Sequence, residues 1–224
     1  MLKKNINLPL LIFFIAVVSI SILKILITAG KDYGLFLSGM FNIVSNYIYL
    51  LSILGFSLLL YQLKNKYYII ILFMFLIVFI ITQLLFNIIL EFIFYAKLDL
   101  IFGFDEFPLT ILYLLNIFIG FFLWLSPLKN IVKYLITIIF SFITSLHIGL
   151  NDIEFFSFKS LMNYPGGNLF ILIMLIGLFV YSFKFFNVKM INVASKIFGS
   201  WMIVISLISC FFFYYLLIGN RVVT

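Results

Sequence analysis

Charge is what this sequence has least of. Only 9% of its 224 residues are charged, whereas 66% are hydrophobic. A soluble domain carries roughly 25% charged residues. A chain with so little polar surface cannot cover itself for water, so it must face lipid. Cysteine and histidine are scarcer still, one of each, Cys210 and His147. A single cysteine forms no internal disulfide. A single histidine cannot supply the paired axial ligands of a membrane haem, and one His with one Cys cannot complete a usual zinc or iron–sulfur site. The sequence has no phosphate-cradling glycine loop, and no G-x-S-x-G turn frames a nucleophile. Lys24 and Lys184 lie near the ends of apolar runs, not deep in a helix where a retinal-type Schiff base would need them. The expectation is a chain with no catalytic, cofactor-binding or metal-binding residues of its own. The net charge of +7 is not a nucleic-acid footprint, because the basic residues are scattered between apolar runs.

What is present is apolar sequence in long runs, including 31 Phe and 13 Tyr. Membrane strands would alternate in short segments, so these runs are helices. Against a hydrocarbon core that needs about 20 helical residues, seven spans are predicted. They are Leu8–Thr28, Ile43–Leu63, Tyr67–Phe94, Leu109–Leu125, Ile131–Leu150, Leu169–Phe186 and Ile197–Ile218. The third is long enough to tilt or protrude, and the fourth opens at Pro108, a favoured first helical position. Residues 1–224 therefore read as a single transmembrane helical domain, all-α, with short connections. The first span follows Lys3 and Lys4 like a signal peptide, but its apolar run is too long and Ile27 spoils the small-residue cleavage pattern. It is read as a retained helix.

Charge sets the orientation. One side carries Lys3, Lys4, Lys64, Lys66, Lys129, Lys133, Lys184, Lys189 and Lys196, with no acid. The other carries Lys24, Lys31, Lys97, Lys159 and Arg221 with every acid in the chain: Asp32, Glu91, Asp99, Asp105, Glu106, Asp152 and Glu154. Lysine- and arginine-rich loops stay inside, so the N-terminus is read as inside and the C-terminus as outside. An odd number of spans requires the same split.

Polar groups inside a bilayer need a partner or a purpose. Gln83, Asn87 and Glu91 recur at every fourth residue of the third span, on one helical stripe beside Thr82. One reading is a proton or solute path ending at Glu91; the other is a hydrogen-bonding contact between helices with Glu91 at the interface. The fifth span holds Thr137, Ser141, Thr144 and Ser145, ordinary packing residues that bond backbone carbonyls, and then His147. His147 is read either as a satisfied interfacial residue or as a ligand or proton shuttle. Asn151, Asp152 and Glu154 follow it, which suggests a polar cluster at the outer face. Tyr164-Pro165-Gly166-Gly167-Asn168 reads as a turn before the sixth span.

Several segments, taken with seven spans and no cofactor ligands, resemble subunit III of cytochrome c oxidase. Phe79 to Phe86 is similar to that family's third helix, Phe107-Pro108-Leu109 to the opening of its fourth, and Tyr134 to Ile138 with Ile153-Glu154-Phe155 to its fifth and the pair after it. Tyr164 to Phe170 is similar to a family turn, and Trp201 to Gly219 to the closing helix. Gln83 stands where the family has a lipid-contacting glutamate, the His-rich motifs of the fourth and sixth helices are missing, and Lys64-Asn65-Lys66 replaces an Arg-Asp segment. The resemblance implies a subunit without a redox centre. It would pack on the catalytic subunit of a haem-copper oxidase, hold phospholipid in a cleft between the first two helices and the other five, and support proton uptake. It implies a respiratory membrane, either the mitochondrial inner membrane or a bacterial plasma membrane. Two further readings stand beside it. One is a small transporter or channel whose path follows Gln83, Asn87, Glu91 and His147. The other is a structural subunit of some other membrane complex.

Overall fold

The computed structural model describes residues 8–28, 34–61, 63, 65–95, 107–125, 128–151 and 162–222. Among these residues there are nine helices and no strand: α1 (Leu8–Thr28), α2 (Leu35–Ser45), α3 (Tyr47–Tyr61), α4 (Asn65–Leu84), α5 (Phe86–Tyr95), α6 (Phe107–Trp124), α7 (Asn130–Asn151), α8 (Tyr164–Phe183) and α9 (Val188–Val222). By length and composition, four described segments can cross a membrane: Tyr67–Leu84, Asn130–Asn151, Tyr164–Phe183 and Val188–Phe212. The α2–α3 pair, bent by 74°, makes a fifth if it is one span. The apolar stretches of α1 and α6, Pro9–Lys24 and Leu109–Trp124, are shorter.

Three expected boundaries move, each for a local reason. The second span, expected as one run from Ile43, breaks at Asn46, whose extended backbone (φ −94°, ψ 108°) ends α2. The Asn46 side-chain oxygen then accepts from the Ile48 amide at 3.0 Å, so one residue closes α2 and caps α3. The third span is interrupted at Leu85. The amide of Leu85 still bonds to Ile81 and that of Ile89 to Leu85, so the chain stays nearly helical. Just before the interruption the Thr82 hydroxyl bonds back to the Val78 carbonyl at 2.8 Å, a contact that bends helices. Tyr164 to Asn168 is not a turn. It is the start of α8, with Pro165 in the first helical positions. Its glycine is there for close approach: a Cβ on Gly167 would collide with the Phe36 carbonyl oxygen of α2.

The core is organised around α3. Eleven of its fifteen residues are buried, on every side of the helix, and it packs against α2, α6, α8 and α9. A helix apolar all round belongs inside a bundle. Around it the contacts fix relative directions. Ser141 bonds to the Phe75 carbonyl and Ser145 to that of Phe79, so α4 and α7 run parallel. Tyr49 meets His147 while Phe56 stacks on Phe140 at 4.2 Å, so α3 and α7 are antiparallel. Ser52 meets Asn116 and Gly55 lies beside Ile119, so α3 and α6 are parallel. In the α6–α9 pair, Gly120 and Gly199 bring their backbones together, and Trp124 bonds to Ser200 at 3.0 Å. Small residues that let backbones touch are the usual membrane packing device.

Candidate functional site

Most interhelical polar contacts gather where α3 begins and α7 ends, called here the His147 end. His147 is buried. Its Nδ1 lies 2.5 Å from the Tyr49 hydroxyl and 3.2 Å from the Asn151 amide nitrogen. An Asn amide nitrogen can only donate, and a neutral phenol facing an unprotonated ring nitrogen also donates. Both bonds therefore place the lone pair on Nδ1 and the proton on Nε2. That Nε2–H is buried and has no hydrogen-bond partner among the described residues. The ring also meets Tyr49 edge-on, with centroids 5.1 Å apart.

One helix away, Gln83 is 0% exposed. Its amide nitrogen donates to the Ser145 carbonyl at 2.6 Å, joining α4 to α7, while its side-chain oxygen is left unpartnered. The Ser141 and Ser145 hydroxyls extend this contact along the two parallel helices at 2.6 and 2.9 Å. Thr137 and Thr144 instead bond back within α7, to Lys133 and Phe140. On the far side of α3, Ser52 donates to the Asn116 oxygen at 2.8 Å. Asn42 of α2 donates to Asn168 of α8 at 3.1 Å, and Asn168 donates to the Tyr164 carbonyl at 2.8 Å.

The sequence stripe of Gln83, Asn87 and Glu91 is not kept together. Gln83 precedes the break at Leu85 and points into α7, whereas Asn87 and Glu91, in α5 beyond it, are exposed. His147 joins Tyr49 and Asn151, and Glu154 lies outside the described residues. Among the described residues no three His, Cys, Asp or Glu side chains come together. Sequence reading did not single out Tyr49, Ser52 or Asn116. Asn116 carried a signal, as the one amide in the apolar run Leu109–Leu125. Tyr49 carried none, being one of 13 tyrosines in a strongly apolar chain.

No family model matches this chain, and no curated protein or solved structure is significantly similar to it.

Proposed function

We propose that this chain is a cofactor-free, membrane-embedded subunit whose role is to pack within a larger complex. The observation that carries the reading is how its buried polar side chains are used. Gln83, Ser141 and Ser145 join α4 to α7, Ser52 with Asn116 joins α3 to α6, and Asn42 with Asn168 joins α2 to α8. A solute path would need polar groups aligned toward one lumen, whereas these meet in pairs between separate helices. A haem-copper oxidase is the complex to which the sequence resemblance points, in a mitochondrial inner or bacterial plasma membrane. Bound phospholipid and the oxidase catalytic subunit are then the partners.

The reading includes seven crossings, N-terminus inside and C-terminus outside. The pairwise directions of α3, α4, α6 and α7 agree with a chain that reverses at each connection, with α2–α3 and α4–α5 each taken as one crossing. The positive-inside distribution then puts the end of the bundle opposite His147, where α4 and α7 begin and α8 closes at Phe183, in the cytoplasm or matrix.

A second reading is a small transporter. It is favoured by the 74° break between α2 and α3, because discontinuous helices line many transport sites. One experiment separates the two. The chain, tagged and extracted in mild detergent from its native membrane, should co-purify with a haem-copper oxidase catalytic subunit. Its removal should shorten turnover durability or impair proton uptake while the haem spectrum stays the same. Recovery as a free homo-oligomer that moves a solute into liposomes would replace the subunit reading with the transporter.

A further inference from the structure

Helix α9 is the least covered of the long apolar segments. Its stretch Val188–Phe212 is 22% buried, against 33–56% in the other three. Buried residues Ile191, Ser195, Gly199, Met202 and Ser206 recur every three or four positions on one side of it. That side lies against α6 and α3, where Gly120 meets Gly199 and Gly55 meets Met202. The opposite side is exposed and apolar. Met190, Ile197, Val204 and Phe211 stand seven residues apart on it, with Val193 and Ile208 between them. Such spacing keeps one face toward a neighbouring helix over many turns.

Lipid tails cover a stripe of this kind only within the hydrocarbon layer. The chain's two tryptophans mark where that layer ends. Trp124 and Trp201 are 58% and 64% exposed, and Trp gathers at the membrane–water interface. The bond from Trp124 to Ser200 puts both at one level. Trp124 is the last residue of α6. The two helices are antiparallel, because Leu123 meets Gly199 and Gly120 meets Ile203, while Tyr113 lies beside Ser209. The first turns of α9 therefore run on past the end of α6.

At 1.5 Å per residue, Val193 lies about 12 Å beyond the level of Trp201, and Met190 about 16 Å. The headgroup layer is about 5–8 Å deep on each side. Met190 and Val193 are 62% and 59% exposed, so two apolar side chains of the stripe stand beyond the reach of acyl chains. A stripe that continues past the headgroups fits a protein helix better than lipid.

Charge narrows the kind of helix. Lys189 and Lys196 are exposed along one edge of the stripe, seven residues apart. The only carboxylate among the described residues is Glu91, in α5. A second copy of this chain would set lysine against lysine. Acids set opposite the lysines would instead attract and fix the register.

We propose that the outward stripe of α9 docks one helix of a partner subunit, and that this helix carries Asp or Glu at the turns facing Lys189 and Lys196. This deepens the subunit reading by giving the partner a place, and it rests on that reading for the partner's existence.

The test is photo-crosslinking of the full chain in its native membrane, with p-benzoylphenylalanine introduced at Met190 or Val193. Comparison positions are Ile69 of α4 and Ile20 of α1, which are just as exposed. Met190 and Val193 should give one discrete protein adduct, its attachment mapped by mass spectrometry to an apolar helix with Asp or Glu within two turns. Lys189→Gln with Lys196→Gln should cut the yield about fivefold, the scale of one exposed ion pair. Lys189→Arg with Lys196→Arg keeps the charge and should keep the yield, which separates a lost contact from a disturbed fold. Adducts with lipid alone, with a second copy or with nothing would overturn the docking face. So would an attached segment without acids, or a yield that the Gln pair leaves unchanged. A partner captured at Ile69 or Ile20 but not at α9 would sink this face and leave the subunit reading standing, since co-purification decides that reading by itself.

Discussion

Replacing Tyr49 by Phe removes one hydroxyl from the interior and leaves both rings in place. The His147 Nδ1 then keeps only the Asn151 amide, 3.2 Å away. Hydrogen bonds between membrane helices average about 0.6 kcal/mol and reach about 1.7. A polar atom left unsatisfied in a buried site costs about 1–3 kcal/mol. Because Asn151 still serves Nδ1, the loss for Tyr49→Phe should be about 1 kcal/mol. His147→Phe is more severe, since it strands the Tyr49 hydroxyl in a position with 0% exposure. It should cost about 2 kcal/mol. The double variant removes both polar groups and leaves two aromatic rings in edge contact, so it should lose less than the two single losses added together. A coupling of about 1 kcal/mol is expected, within the range for residues in direct contact. Reversible unfolding of the four proteins in mixed micelles with rising anionic detergent, followed by helical circular dichroism, measures it. Additivity within about 0.3 kcal/mol would show that the two side chains do not share a bond in the folded chain.

Gly120→Ala should destabilise by about 1–3 kcal/mol in the same assay, because a Cβ there would lie 2.7 Å from the Gly199 carbonyl oxygen. Gly34→Ala, where nothing lies within 4 Å of the added carbon, should be nearly neutral; equal effects at the two sites would count against the α6–α9 contact. For topology, single cysteines introduced at Lys66 and Lys189 in a Cys210→Ser background should resist an impermeant thiol reagent applied from outside, and one at Asp105 should react. The reverse pattern would turn the whole bundle over in the membrane.

The long apolar helices were legible because each is an apolar run with polar residues at its ends, although by length and composition only four of the described segments, or five with the bent α2–α3 pair, can cross a membrane. Interruptions within a run left weaker traces. Asn46 looks like one more small polar residue, yet its side chain ends one helix and caps the next. Tyr164 to Asn168 carries the composition of a turn, but its proline occupies a helix start and Gly167 is needed so that α2 can approach. The hydroxyls of the fifth span did what hydroxyls in membrane helices do. Those of Ser141 and Ser145 reach carbonyls of the neighbouring helix, and those of Thr137 and Thr144 reach carbonyls of their own.

The stripe of Gln83, Asn87 and Glu91 shows where pattern reading loses its grip. Its logic assumes an unbroken helix that turns about 100° per residue, so that positions four apart stay on one face. The interruption at Leu85 falls between the first member and the other two, and only Gln83 is held against α7. Nothing in the residue types announces that interruption, since Leu84-Leu85-Phe86 is good helical sequence. The nearest sign is Thr82, whose hydroxyl can compete for a carbonyl one turn back and does so at Val78. A polar stripe in an apolar span therefore locates a site only when the helix beneath it stays continuous. Here the helix is interrupted at Leu85 while the chain stays nearly helical, Asn87 and Glu91 beyond it are exposed, and the polar contacts of the interior pass instead to Tyr49, Asn116 and Asn168.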